Sequence, residues 1–447
     1  MMLKDQNDLN ITASDPKYVA LYDDAITELA HFRDPSNIIE GLLEQSPHFA
    51  MAHILSAYLY LLSTDENDAA AAKQHLALAN AAAQDSAINE REQKHLEALS
   101  VWLDGNMEKA SFILDSLLID YPQDMLALLI GHQLDFFLGH AQNLKNRIAR
   151  SLPSWDKSHP LYSFVLGMYG FGLEEAREYN RAEDIAKQAV ALNPKDVWGI
   201  HAVAHALEML NRYEEGAQYM KQRKQDWGEN NFFIPHNALH LGLFELEMGD
   251  VKEILALSDT MIHNASTGEN PIVLLDGSSL IWRFYLDNVD VGKARLQALA
   301  SSWRKIADQN FYSFNDVHAV MAFVAADDFS SAEKVIQSQK MFLKNNKPGI
   351  SYYHMTKEIG LPISEALYAF GKGNYQECIN KLMPIKNTIH HFGGSHAQRD
   401  VFARTLVEAA FRSKNKLLAQ ALLSERLEEK PQSPYNLMKK ENLALMA

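Results

Sequence analysis

The sequence predicts an all-α fold, a solenoid of repeated helix pairs. Apolar residues recur at helical spacing almost everywhere, strand signals are scarce, and a short small-residue motif returns along the chain. The 447 residues can form a large core or several small ones. With 47% hydrophobic and 22% charged residues the composition is that of a folded chain, so disorder is expected only at the ends.

The helices come first. HALEMLNRYEEGAQYM and AEDIAKQAVAL each keep an apolar stripe with the helical period. Most of the 14 prolines sit in short breaks such as Tyr121-Pro122, Asn193-Pro194 and Lys430-Pro431, where helices should end.

The repeat follows. A phrase G-x-Φ-x-x-A, with Φ apolar or aromatic, runs from Gly105 to Ala110. Looser copies run from Arg177 to Ala182, Asn211 to Gly216 and Gly373 to Cys378, and further candidates end at Ala294, Ala332 and Ala419. Pro122, Pro194 and Pro431 each stand twelve residues past the small residue of their copy, where a second helix would stop. The units recur every 34 residues or more, which is the tetratricopeptide pattern. The small residue belongs where the two helices cross. A pair cannot bury both its apolar faces alone, so neighbours stack into a superhelical solenoid. About nine to eleven pairs fit the length. No Pro-, Gly- or Ser-rich linker interrupts residues 1–447, so one continuous domain is expected, with 430–447 as a capping helix or tail.

The repeat register separates packed from groove positions. In the unit containing Asn211 the packed positions are Ile200, Val203, Ala204 and Leu207, which are all apolar, and the concave positions are His201, His205 and Glu208. The unit ending at Ala294 puts Asp276, Ser279 and Arg283 on the groove and packs Trp282. Glu174, His236 and His240 fall at or beside the groove in their units, and His132 does so if Gly131 is the eighth residue of its unit. Asp316 and His318 should lie near the start of the helix AVMAFVAADDF. Trp198 and Trp282 read as inter-helix packing.

Charge and cysteine usage narrow the function classes. A net charge of −15 gains nothing from phosphate backbones, so nucleic acid is not the expected partner. Cys378, the single cysteine, has no base or cation among its neighbours and reads as a small packing residue in a reducing compartment. The first residues show no secretory signal and no stretch is apolar enough for a membrane span, so no membrane role and a cytoplasmic location are expected. There is no P-loop, Gly-x-Gly-x-x-Gly or Gly-x-Ser-x-Gly, which disfavours phosphoryl transfer and nucleotide-dependent redox chemistry.

The chain resembles the tetratricopeptide repeat protein 38 family over nearly its whole length. The matching stretches include REQKHLEALSVWLDGNMEKA, YPQDMLALLIGH, GMYGFGLEEAREYNRAEDIAKQAV, VWGIHAVAHALEM, PHNALHLGLFELEMGD, FNDVHAVMA, GLPISEAL and GGSHAQRDVF. The resemblance implies a helical tetratricopeptide fold, and the family brings no established activity with it. Its motifs match at His132, His201, His205, Glu208, His236, His240, Asp276, Arg283, Asp316, His318, Gln398, Arg399 and Asp400. The family pattern has Asn at the position of His396, the weakest member of any site.

Three readings of these residues stand side by side. In the first, His201, His205, His236, His240, Asp276, Asp316 and His318 supply ligands to a divalent ion (Zn, Mn or Fe), since two histidines four apart on a helix can share one. Glu208 or Glu174 would then act as base on a bound water. Arg283 or Arg399 would hold a substrate carboxylate or an oxyanion, while His132, Ser279, Gln398 and Asp400 would bind the ligand. That constellation fits a metal-dependent hydrolase of a small amide or ester. In the second, the concave groove grips a small molecule or a peptide without chemistry. In the third, the histidines form a buried hydrogen-bonded network. For GGSHAQRD, two readings remain: Ser395 caps a helix with Asp400 in its first turn, or the loop brings Gln398, Arg399 and Asp400 to the cluster.

Overall fold

The computed structural model describes residues 2–264, 267, 270–307 and 309–445. Within the 430–447 stretch, the final two residues therefore lie outside the described residues, and a helix forms at Pro434–Ala444.

The repeat motif is a helix-ending turn. Gly105, Arg177, Asn211, Gly373 and Lys414 all take positive φ, between 60° and 87°. Each closes the same pair of backbone bonds. At the first copy Gly105 N–H donates to Trp102 C=O (2.8 Å) and Asn106 N–H to Val101 C=O (2.9 Å); at the third Asn211 N–H reaches Glu208 and Arg212 N–H reaches Leu207. These bonds satisfy carbonyls that the helix end leaves open. Gly105 and Gly373 adopt this conformation without a Cβ clash, which is why glycine suits the first position of the motif.

Five residues further on, the small side chain is buried in most copies, whereas Ala294, the small residue of another candidate unit, is exposed. Ala110, Ala182, Ala332, Cys378 and Ala419 are all inaccessible to solvent. Gly216 shows why size matters there, since a Cβ on it would stand 2.3 Å from the Phe244 ring. The second helices Met107–Asp120, Tyr179–Leu192 and Lys416–Glu429 stop just before Pro122, Pro194 and Pro431, as their spacing predicts. Burial drives the Cys378 thiol pKa up to about 12, which suits packing and not reactivity.

The chain divides into two compact units, and the dividing point falls within the helix Val197–Met209. The first comprises Met1–Val203, Gln225–Phe233 and Gly349–Ser351. Its helices pair in sequence: Ala50–Leu62 with Glu66–Asp85, Glu90–Leu103 with Met107–Asp120, and Tyr162–Glu175 with Tyr179–Leu192. Its start is a short antiparallel hairpin, Met2–Lys4 with Asn10–Thr12, where the sequence suggested a loose end. Buried Glu92 explains the order, because it accepts from both Thr12 N–H and Thr12 Oγ1 at 2.7 Å.

The second unit comprises Ala204–Lys224, Ile234–Pro348 and Tyr352–Ala447. Here Ile234–Met248, Pro271–Leu286, Ser313–Ala325 and Leu361–Gly371 touch in succession, each backed by a second helix. Helix pairs of the tetratricopeptide type thus build the fold. One contact breaks the simple stack: Pro271–Leu286 also packs on the later helix His396–Arg412. Trp282 Nε1 donates to Thr405 Oγ1 (2.8 Å) and Arg283 to the Ala397 carbonyl (2.7 Å). The concave-side residue Arg283 is thereby met by a later helix of its own unit. Among the described residues, no helix is long and apolar enough to cross a membrane.

Candidate metal centre

Val197–Met209 and Ile234–Met248 each carry histidines four residues apart, so their rings share a face. His205, His236 and His240 are at most 6% exposed. Each offers a ring nitrogen, and these nitrogens lie within 4.8 Å of one another. The Nε2 atoms of His236 and His240 are 3.3 Å apart. The register places these residues on the concave groove, and in the structure their side chains are buried.

Carboxylates stand behind two of the rings. Asp276 lies 3.0 and 3.1 Å from His236 Nδ1, so that nitrogen donates to the carboxylate and Nε2 points away from it. Glu208 is 3.7 Å from His240 Nδ1, a looser electrostatic contact. Burial and the neighbouring His240 and His236 hold His205 well below the ordinary imidazole range. Burial also lowers His240, although Glu208 opposes it. Both rings therefore stay neutral near pH 7, the form that ligates metals.

Glu208 is fixed as an anion. Burial would raise its pKa, but Lys430 (3.2 Å) and His240 bring it down to about 2. A carboxylate so weakly basic is a poor proton acceptor at neutral pH, so its place behind His240 suits orientation better than base catalysis. Asp276 likewise stands behind a ring, at His236 Nδ1, and is not among the residues whose candidate ligand atoms cluster.

The remaining expected residues separate. Asp316 and His318 fall within the helix Ser313–Ala325, which starts at Ser313 and so earlier than expected. Among the described residues they join no group of three ligand atoms. Gln339 donates to Asp316 (3.3 Å). His318 Nδ1 donates to the Phe314 carbonyl (2.8 Å), and burial lowers its pKa to about 4. Arg283 donates to Ser279 Oγ, to the Ser279 carbonyl (2.9 Å) and to Ala397; burial and Arg404 lower it to about 10. Its fork therefore ties two helices together.

GGSHAQRD resolves into a capping box. Ser395 N–H donates to Gln398 Oε1 (2.9 Å) and Gln398 N–H to Ser395 Oγ (3.2 Å), so the Gln398 side chain closes its own helix. Arg399 donates to the Gly394 carbonyl and lies 3.3 Å from His396 Nδ1. Asp400 pairs with Arg404 (2.8 Å) and Arg426 (2.9 Å). Burial would raise it, but Arg426, Lys430, Arg404 and Arg283 hold it well below the carboxylate range.

His132, Glu174 and His201 belong to the first unit. His201 stands one turn before His205 in the helix Val197–Met209. Its ring meets Phe171 (5.2 Å) and Phe233 (4.9 Å). His132 sits against Trp198 at 5.3 Å, and burial, with a contribution from Arg147, lowers its pKa to about 3. Glu174 is fully buried at the end of Tyr162–Glu175.

Lys430 is the residue that sequence reasoning missed. Lys430-Pro431 reads only as a helix end, and nothing local in it announces a pairing with Glu208, 222 positions earlier.

No family model matches the chain. Among solved structures it is similar to human IFIT1, solved as a dimer with m7Gppp-AAAA, at 15% identity and TM-score 0.40, covering 98% of this chain and 96% of that one. It is also similar to a chain of Naa15/Naa10 bound to HypK-THB, at 12% identity and TM-score 0.24, covering 96% of this chain and 86% of that one. Likeness at this level carries nothing about ligands or partners. The expectation against nucleic acid rests on net charge alone.

Proposed function

We propose that this chain binds a divalent transition metal through His205, His236 and His240 and uses it on a small polar ligand. The observation that carries the reading is three buried imidazole nitrogens within 4.8 Å of one another, one ring backed by Asp276. Two ligands on a tetrahedral ion, with metal–nitrogen bonds near 2.0–2.1 Å, lie about 3.3 Å apart, and the His236–His240 spacing of 3.3 Å matches. An all-imidazole donor set favours zinc or iron over manganese, which prefers oxygen.

In hydrolytic sites a protein-bound ion that keeps a position open for water activates that water and polarises a carbonyl. A hydrolase of a small amide or ester is therefore the finer proposal. It rests on the metal, because Glu208 is a weak base and Arg283 is engaged by Ser279 and Ala397. A peptide in an open groove is the less supported alternative, since a later helix of the second unit meets the concave-side residue Arg283. Membership of the tetratricopeptide repeat protein 38 family belongs to this proposal too, supported by the ordered matches along the sequence.

The 3.3 Å spacing also suits a direct hydrogen bond in which His240 gives its Nε2 proton to His236. Elemental analysis of protein purified without a histidine tag separates the two. About one zinc or iron per chain supports the metal centre. Less than about 0.1 per chain, with no thermal shift on adding zinc, iron or manganese, leaves the hydrogen-bonded network.

A further inference from the structure

The two carboxylates behind the rings are not equivalent. Asp276 contacts His236 directly at 3.0 Å, whereas Glu208 stands 3.7 Å from His240. The other oxygen of Glu208 is taken by Lys430 at 3.2 Å, and the Lys430 side chain is only 12% exposed. A lysine withdrawn from water loses solvation and rotamer freedom, so its position must be set by what surrounds it. Its backbone is clamped accordingly. Asn436 Nδ2 donates to the Lys430 carbonyl (2.9 Å), and Arg426 Nε donates to Asn436 Oδ1 (2.9 Å). Ser433 Oγ donates to Glu247 (2.8 Å), and Tyr435 OH donates to Glu408 (2.9 Å). Pro431 follows directly, where the helix Lys416–Glu429 ends, so the turn that aims Lys430 is stiff and its cation sits at a favourable helix terminus.

We propose that Lys430 is a positioning residue of the histidine cluster. It draws on Glu208 from the side opposite His240 and fixes that carboxylate behind His240 Nδ1, so that His240 presents Nε2 to the ion. The proposal rests on the metal reading above. It makes the turn after the helix Lys416–Glu429 part of the site's outer shell, although the residue contacts no ligand nitrogen. Partners of this kind are commonly worth 10- to 100-fold in metal affinity.

The test uses the full chain, stripped of metal and titrated with Zn²⁺ alone against a competing chelator, and with Co²⁺ for its visible absorption. Lys430→Met should bind Zn²⁺ roughly 10–100-fold more weakly and alter the Co²⁺ spectrum, while Lys430→Arg should restore both to within about threefold. A purely structural lysine would lower the metal-free melting temperature and leave affinity and spectrum unchanged, and that result overturns the proposal. If Lys430→Met does not fold, Lys430→Gln carries the test: affinity at least threefold weaker supports the proposal, and wild-type affinity overturns it. Failure of the metal reading looks different, because then the wild-type chain itself takes up neither ion.

Discussion

A buried ion-pair cluster in the first unit and the histidine cluster in the second are composed on opposite principles. In the first unit Asp124 accepts from Arg91 (3.0 Å) and His95 (3.0 Å), and Arg91 also pairs with Asp5 (3.2 Å). Unlike charges meet, and burial, which alone would raise Asp124, is outweighed so that it lies well below the carboxylate range. In the second unit His205, His236 and His240 bring like groups together, and the pKa of His205 falls partly because of its two neighbours. A cluster of unlike charges is complete in itself and stiffens the fold. A cluster of like donors gains from a cation that satisfies them all at once. The difference separates a structural network from a candidate ligand site although both are equally buried.

The largest effect should come from breaking the like-donor cluster. His236→Ala and His205→Ala should each abolish stoichiometric zinc or iron, read by elemental analysis, while circular dichroism stays helical. Asp124→Ala should show the converse. Leaving Arg91 buried without its main partner should cost about 3–5 kcal/mol in denaturant unfolding, with metal content per folded chain unchanged. Loss of metal in Asp124→Ala protein that remains folded would erase the distinction between the clusters. A smaller effect probes the scaffold that holds the rings. A Cβ at Gly216 would meet Phe244, which lies on the helix bearing His236 and His240, at 2.3 Å. Gly216→Ala should therefore destabilise by about 1–3 kcal/mol and weaken metal retention only in proportion to unfolding.

Much of this was legible in the sequence because it is local. The turn after each first helix, the small crossing residue and the proline-marked helix ends are set by neighbours within a dozen positions. That the paired histidines share a helix face was legible too, since residues four apart lie on one side. What the sequence hid was non-local. Nothing near His205 reveals that His396–Arg412 returns against Pro271–Leu286 and meets Arg283 on the expected groove side. Nothing in Gln398 distinguishes a capping partner from a ligand until the Ser395 bonds are seen. The roles expected of Asp276 and Glu208 also depended on where the Nδ1 atoms point, which a residue pattern does not encode.

The smallest effect tests whether cations, and not burial, set the character of a cluster. Asp124 and Asp196 occupy matching places, each two residues after a proline at a second helix's end and each capping the next helix. Asp124 accepts from Ala127 N–H and Asp196 from Gly199 N–H, both at 2.9 Å, and both carboxyls are buried. Yet Asp196 has no cation acting on it among the described residues, and burial lifts it to about 7. The sign follows from linkage. The folded chain keeps on Asp196 a proton that the unfolded chain, with a carboxyl near 3.9, has released. The resulting stabilisation is whole below pH 4, falls as pH rises, and is gone above about pH 7. Between pH 6 and 8 it should change by about 1 kcal/mol. Asn at this position keeps the capping oxygen and cannot ionise, so Asp196→Asn should remove that slope and gain on the wild type as pH rises, in denaturant midpoints measured at pH 6, 7 and 8. Asp124→Asn should move the other way, losing stability at every pH in that range because Arg91 and His95 lose their anion. If both variants show the same pH slope, burial alone governs these carboxyls, and the contrast between clusters of unlike charges and clusters of like donors loses its basis.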